Sequence, residues 1–257
     1  MTETAQLDDV ASAPLAGRRA LVTGGSRGIG AGIVRRLAAD GAAVAFTYRA
    51  ARGAANDLEQ EIVGSGGMAF AVQADSADPE ALRAAIADTV GRFGGLDVLV
   101  NNAGTSHHAS IEEFPMAEYD RLLAVNVRAV FVAIQAALPH LGAGGRIISI
   151  GSVLADRAPI SGISVYSLTK AAVAGLSRNL ARELGPRGIT VNTVQPGPVD
   201  TDMNPDTGEF ADAVRAATAV GHYGQPHDIA DAVAFLARAE ARFVTGTTWN
   251  VDGGYAL

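Results

Sequence analysis

Short runs of apolar, often β-branched residues recur along this chain, and most are followed by apolar positions repeating every three or four residues. The runs are 19–23, 43–48, 69–73, 97–100, 146–150, 189–194 and 247–251, each four to six residues long. Such runs, bounded by glycine, proline or polar clusters, predict strands. The helical periodicity follows through Leu37, then over 53–63, 80–92, 112–140 with an early interruption at Pro115, from near Tyr166 to Leu184, and over 228–238. Gly185-Pro186 is a clear helix terminator. Residues 202–221 are polar and loosely helical with few strong core anchors, the pattern of a lid. Residues 1–16 read as a flexible extension and 17–257 as one domain, without an internal repeat.

Composition narrows this picture. With 257 residues, 48% hydrophobic and 18% charged, the chain fits one α/β domain with a large core. It has no cysteine, which excludes disulfides, thiolate metal sites and a cysteine nucleophile. A net charge of −7 without a lysine/arginine cluster argues against nucleic-acid binding. The polar, acidic first fourteen residues lack the pattern of a signal peptide, and the longest apolar stretches are broken by Arg128, Gln135 or glycines. The expected location is the cytoplasm, with no membrane contact.

The first strand runs directly into Gly24-Gly25-Ser26-Arg27-Gly28-Ile29-Gly30 and then a helix. Strand, glycine-rich turn and helix form a phosphate-binding unit: the helix N-terminus offers free N–H groups, and the glycines let a pyrophosphate approach. The spacing is G-x-x-x-G-x-G, distinct from the commoner G-x-G-x-x-G. The second strand ends at Arg49, and no acid follows until Asp57. An NAD site would place an acid near here and an NADP site an arginine. Arg49 with Arg27 therefore predicts NADP(H). Asp75, just past the third strand, is placed to accept from the adenine amino group or to cap the helix at Pro79. Asn101-Asn102-Ala103-Gly104 closes the fourth strand, with Asn101 read as structural and Asn102 as both a structural tie and a lining of the cofactor cleft. Asn126, between Val125 and Val127, is an amide in an apolar setting and by position reads as a satisfied core residue.

The chain holds a single lysine, Lys170, four residues after Tyr166. On a helix the two share a face, and the ammonium is placed to favour the ionised phenol. Ser152, just past the fifth strand, would meet Tyr166 at the carboxyl edge of the sheet, so that two hydroxyls hold one substrate oxygen. Ser149 and Ser164 compete by residue type, but Ser149 falls within the strand. His107-His108 has no third ligand at metal-binding spacing, so no metal site is predicted.

Together, the 23–30 glycine turn, Asn101 to Gly104, Ser152, Tyr166 to Lys170 and Pro196-Gly197 resemble the short-chain dehydrogenase/reductase family over nearly the whole chain. The resemblance implies a single-domain Rossmann fold with a seven-stranded, parallel, doubly wound sheet. It implies a catalytic tetrad of Asn126, Ser152, Tyr166 and Lys170, which overrides the core reading of Asn126. Asn126 would then hold a water between Lys170 and solvent. The cofactor set adds Ser76, Asn102, Ala103, Gly104, Pro196, Gly197, Val199 and Thr201 to the glycine turn, Arg49 and Asp75, and gives Tyr166 and Lys170 a second role there. The nearest look is to 3-oxoacyl-acyl-carrier-protein reductases and bacterial NADPH-dependent ketone reductases. The expected activity is reduction of a small-molecule ketone to a secondary alcohol. Carrier-linked 3-oxoacyl reduction is the alternative, and a non-catalytic NADP-binding regulator ranks low. The resemblance also implies a homotetramer, joined through the helices around Asn126 and after Tyr166.

Overall fold

The computed structural model describes residues 13–257. Of the expected N-terminal extension, residues 1–12 lie outside the described residues. Its last four residues belong to the fold: Leu15 is fully buried, and its N–H donates to the Asp40 carbonyl at 2.7 Å. One leucine with an apolar slot to fill is enough to recruit this segment.

Seven strands form one sheet: β1 (Arg19–Val22), β2 (Ala43–Tyr48), β3 (Met68–Gln73), β4 (Val98–Asn101), β5 (Arg146–Ile150), β6 (Thr190–Pro196) and β7 (Thr248–Val251). Their order is β3-β2-β1-β4-β5-β6-β7, and every pairing is parallel. The helices are α1 (Gly28–Ala39), α2 (Arg52–Gly64), α3 (Pro79–Phe93), α4 (Met116–Leu123), α5 (Ala129–Ala137), α6 (Ser164–Leu184), α7 (Glu209–Ala217) and α8 (Pro226–Ala237). None of them is long and apolar enough to cross a membrane.

Alternation along the strands divides the core into two layers. Ala20, Val22, Val98, Val100, Ile148 and Ile150 point to the layer shared with α1, α2 and α8. Leu21, Leu99 and Ile147 point to the layer shared with α3, α5 and α6. Both faces are covered, as a parallel sheet requires, so the strands read as continuous apolar runs. Gly32 lets α1 and α8 approach closely, since a Cβ there would stand 2.9 Å from the Pro226 carbonyl oxygen. Strand order reverses between β1 and β4, which opens a crevice at the carboxyl edge of the sheet.

The long helix expected over 112–140 is shorter and interrupted. It starts at Met116, because Pro115 is extended at φ −69°, ψ 130° and disfavours helical backbone at Phe114. A single π-turn, Ala124–Arg128, separates α4 from α5. The expected lid contains α7, whose Ala211 and Val214 pack with Tyr223 in a small core of their own.

Candidate active site

The glycine turn between β1 and α1 is held in shape from the neighbouring strand. Thr23 Oγ1 accepts from the N–H groups of Asn102 at 3.0 Å and Ala103 at 3.1 Å. Asn102 Nδ2 donates to the carbonyls of Thr23 at 3.0 Å and Gly24 at 2.9 Å. The Asn102 amide is thus committed to the turn rather than to the open cleft. Gly24 and Gly28 have φ of 64° and 52°, in the left-handed region that glycine tolerates. A Cβ at Gly30 would stand 2.3 Å from the Gly24 oxygen.

The turn feeds α1, whose N-cap, Arg27, makes no side-chain capping bond. The first N–H groups of α1 therefore face the crevice with positive dipole. This cradle fits a dinucleotide pyrophosphate. Arg49 is exposed at the end of β2. Arg27, in the glycine turn, is also exposed and pairs at 3.5 Å with Asp202, at the start of the lid segment. Ser26, Ile29 and Ser76 are all partly exposed. Asp75 accepts from Ala77 N at 2.8 Å, in a local turn. Helix α3 is capped instead by Asp78, so Asp75 does not serve as that cap. On the far side of the crevice, a Cβ at Gly197 would meet Asp252 Cα at 2.6 Å. Pro196 closes β6, Val199 is buried, and Thr201 Cγ2 comes within 3.3 Å of the Cβ position of Gly28.

The catalytic candidates meet at the same edge. Ser152 is buried just beyond β5, and its Oγ accepts from Leu154 N at 3.2 Å. Ser149 lies wholly inside the sheet and accepts from Asn101 Nδ2 at 3.4 Å, a tie between β4 and β5. Ser164 is exposed at the start of α6. Tyr166 and Lys170 sit one turn apart on α6. Lys170 is buried; its Nζ donates to the Ile150 carbonyl at 2.8 Å and lies 5.6 Å from the centroid of the Tyr166 ring.

The electrostatics differ from the sequence expectation. Burial raises the Tyr166 pKa above its ordinary value, and hydrogen bonding with Ser152 opposes the shift. Burial lowers Lys170 to about 8. The ammonium spends its bond on a backbone carbonyl rather than on the phenol, and desolvation outweighs charge attraction in the protein alone.

Asn126 stands in the π-turn, and its side chain makes three hydrogen bonds. Oδ1 accepts from Thr105 N at 2.9 Å; Nδ2 donates to the Thr105 carbonyl at 2.9 Å and to Thr169 Oγ1 at 3.0 Å. Thr169 Oγ1 donates in turn to the Tyr166 carbonyl at 2.7 Å. A Cβ on Gly104 would stand 3.5 Å from Lys170 Nζ and 3.7 Å from Asn126 Oδ1, so both border one small space. Sequence reasoning missed Thr105 and Thr169. Thr169 was within reach, since it shares a helical face with Tyr166 at i+3; Thr105, in a loop, gave no signal. His107 stacks edge-on against Phe114, with ring centroids 5.4 Å apart.

A phosphate cradle at the switch point of a parallel sheet, beside a Ser, Tyr and Lys constellation, defines a dinucleotide-dependent oxidoreductase. The comparisons agree. Residues 24–256 match a family model described as enoyl-(acyl carrier protein) reductase. The chain belongs to the short-chain dehydrogenase/reductase family. It is 46% identical to the cyclic-di-GMP-binding biofilm dispersal mediator protein of Escherichia coli K12, over 93% of this chain and 97% of that one. It is 40% identical to the 3-oxoacyl-[acyl-carrier-protein] reductase of Staphylococcus aureus, over 92% and 97% respectively. A short-chain dehydrogenase from Burkholderia cenocepacia, solved in complex with NADP, superposes with a TM-score of 0.93 at 53% identity, covering 95% of this chain and 100% of that one.

Proposed function

We propose that the protein is a cytoplasmic NADPH-dependent carbonyl reductase that converts a ketone to a secondary alcohol. The observation that carries this reading is the convergence of Ser152, Tyr166 and Lys170 at the carboxyl edge of the sheet, beside a cradle for phosphates. Residues 24–30 would hold the pyrophosphate. Arg27 and Arg49 would hold a 2′-phosphate, Asp75 and Ser76 the adenosine end, and the 102–104 loop with Pro196, Gly197, Val199 and Thr201 the nicotinamide end. Bound NADPH supplies a hydride; the protein supplies position and protons.

Ser152 would hydrogen-bond the substrate carbonyl oxygen through its hydroxyl, keeping its own proton, and stabilise the charge that develops there. Tyr166 gives that oxygen its proton, a contribution of about 10²–10⁴ in rate for general acids. Its raised pKa keeps it protonated and ready to donate at neutral pH. Lys170, with a pKa of about 8, can exchange a proton near working pH and resupply the phenol. Asn126 would hold a water in the space bordered by Lys170 and Gly104, completing the path to solvent.

Two relatives keep a second reading in view. The Staphylococcus aureus relative carries the name of a reductase of carrier-bound acyl thioesters, and the Escherichia coli relative that of a nucleotide-binding regulator. The intact Ser152, Tyr166 and Lys170 set favours an enzyme over a regulator. The test is NADPH oxidation by the purified protein over small cyclic ketones, β-keto esters and a 3-oxoacyl thioester. Turnover of free ketones is expected. Preference for the thioester, strengthened by its carrier protein, would move the assignment to acyl-chain synthesis. Tight NADPH binding with no oxidation of any of them would favour the regulator.

A further inference from the structure

The tetrad candidates sit on regular elements or directly after one, but the backbone that orients Asn126 does not. Thr105 lies in the irregular segment after β4, yet both its N–H and its carbonyl bond the Asn126 amide. Its side chain is gripped from the other direction. Arg121 Nη1 donates to Thr105 Oγ1 at 2.6 Å. The guanidinium is aimed by Glu118, whose Oε2 accepts from Nε at 2.7 Å and lies 2.6 Å from Nη2. His107 Nδ1 stands 3.8 Å from the same Glu118 oxygen.

Arg121 is on α4, before the π-turn, and Asn126 is within that turn. A π-turn lacks the uniform i to i−4 ladder and does not by itself fix where Asn126 points. The Thr105 loop has no ladder either. Each is held by the other; Asn126 is also tied to α6 through Thr169 Oγ1, and Arg121 is the side chain that ties the Thr105 loop to a regular helix. We infer that Arg121 is a positioning residue for Asn126, acting through Thr105 and itself oriented by Glu118. The inference rests on the reading of Asn126 as part of the proton path of the proposed reductase. It adds that the loop after β4 and this proton path are one mechanical unit.

The single lysine permits a test that does not depend on turnover. Protein labelled with ¹³Cε-lysine gives one signal, that of Lys170, whose titration midpoint lies near 8. Freeing Asn126 takes an oxygen dipole from the small space that Lys170 also borders, which is expected to move the midpoint down. Removing a cation alone would move it up. Thr105→Val deletes the hydroxyl that Arg121 holds while leaving every charge in place. It is expected to lower the midpoint by roughly half a pH unit. Thr105→Ser, which keeps the hydroxyl, should restore it. In the kinetic arm, Arg121→Met should lower kcat about tenfold, equivalent to about 1.4 kcal/mol, with the KM for NADPH unchanged. Arg121→Lys should recover part of that loss. A wild-type midpoint in folded Thr105→Val, or wild-type kcat in Arg121→Met, overturns the inference. If wild-type protein reduces no ketone, the reductase reading fails, and the lysine titration still decides the role of Thr105 and Arg121.

Discussion

Lys170 is where the chemistry of this chain is most concentrated in one side chain. It is buried, it donates to the Ile150 carbonyl, and its pKa falls to about 8 because burial penalises the ammonium. In the unfolded chain the same group titrates near 10.4. Between those values the unfolded state binds more protons than the folded state, so stability rises with pH across that window. Tyr166 works in the other direction, since its folded pKa is raised and stability falls once the unfolded phenol ionises above about 10. Urea unfolding at pH 7.5 and 9.5 should therefore show wild-type protein gaining stability relative to Lys170→Met, which has no charge to desolvate. Equal slopes for the two proteins would mean that Lys170 is not buried as described.

At the scale of elements, function depends on where strands end. Arg49 directly follows β2 at the carboxyl edge of the sheet and is exposed, while Arg27 pairs with Asp202. That leaves Arg49 as the freer cation for a 2′-phosphate. Arg49→Asp should raise the KM for NADPH more than tenfold, a factor that corresponds to about 1.4 kcal/mol, and improve use of NADH. An unchanged KM ratio between the two cofactors would remove Arg49 from the site. The strands and the glycine turn were legible in the sequence because both carry local signals: continuous apolar runs for two-sided burial, and glycines where φ is positive or the backbone must approach. The π-turn was not legible. It changes the hydrogen-bond register by one residue and leaves the apolar pattern around Asn126 intact. The commitment of the Asn102 Nδ2 to the glycine turn and the capping role of Asp78 in place of Asp75 depend on which partner comes within 3 Å, which spacing alone does not fix. Leu15 illustrates the same limit, as one buried leucine recruits a segment whose composition reads as a tail.

At the scale of the whole molecule, five of the exposed large apolar side chains fall into two groups. Phe131 on α5 and Leu168 on α6 are half exposed on the helices that flank the active site. A second group, Phe235, Trp249 and the almost fully exposed Phe243, lies along the β7 edge, where Phe235 and Trp249 stack edge to face at 5.9 Å. The expected tetramer would cover such side chains in two kinds of two-fold contact. Light scattering on the purified protein should give four chains of 26.2 kDa each. Adding Phe243→Asp and Trp249→Asp together should halve that mass. A monomer at all concentrations would refute the tetramer and leave both groups unexplained.

In the proposed reaction Tyr166 is the proton donor at a site that binds its cofactor independently. The most direct measurement is therefore NADPH binding by fluorescence alongside NADPH oxidation, for wild type and Tyr166→Phe, with the best ketone of the panel. The account predicts that the variant binds NADPH about as tightly as wild type and loses at least about a hundredfold in turnover. A variant that binds NADPH normally and keeps near-wild-type turnover would contradict it, because the proton would then come from another group.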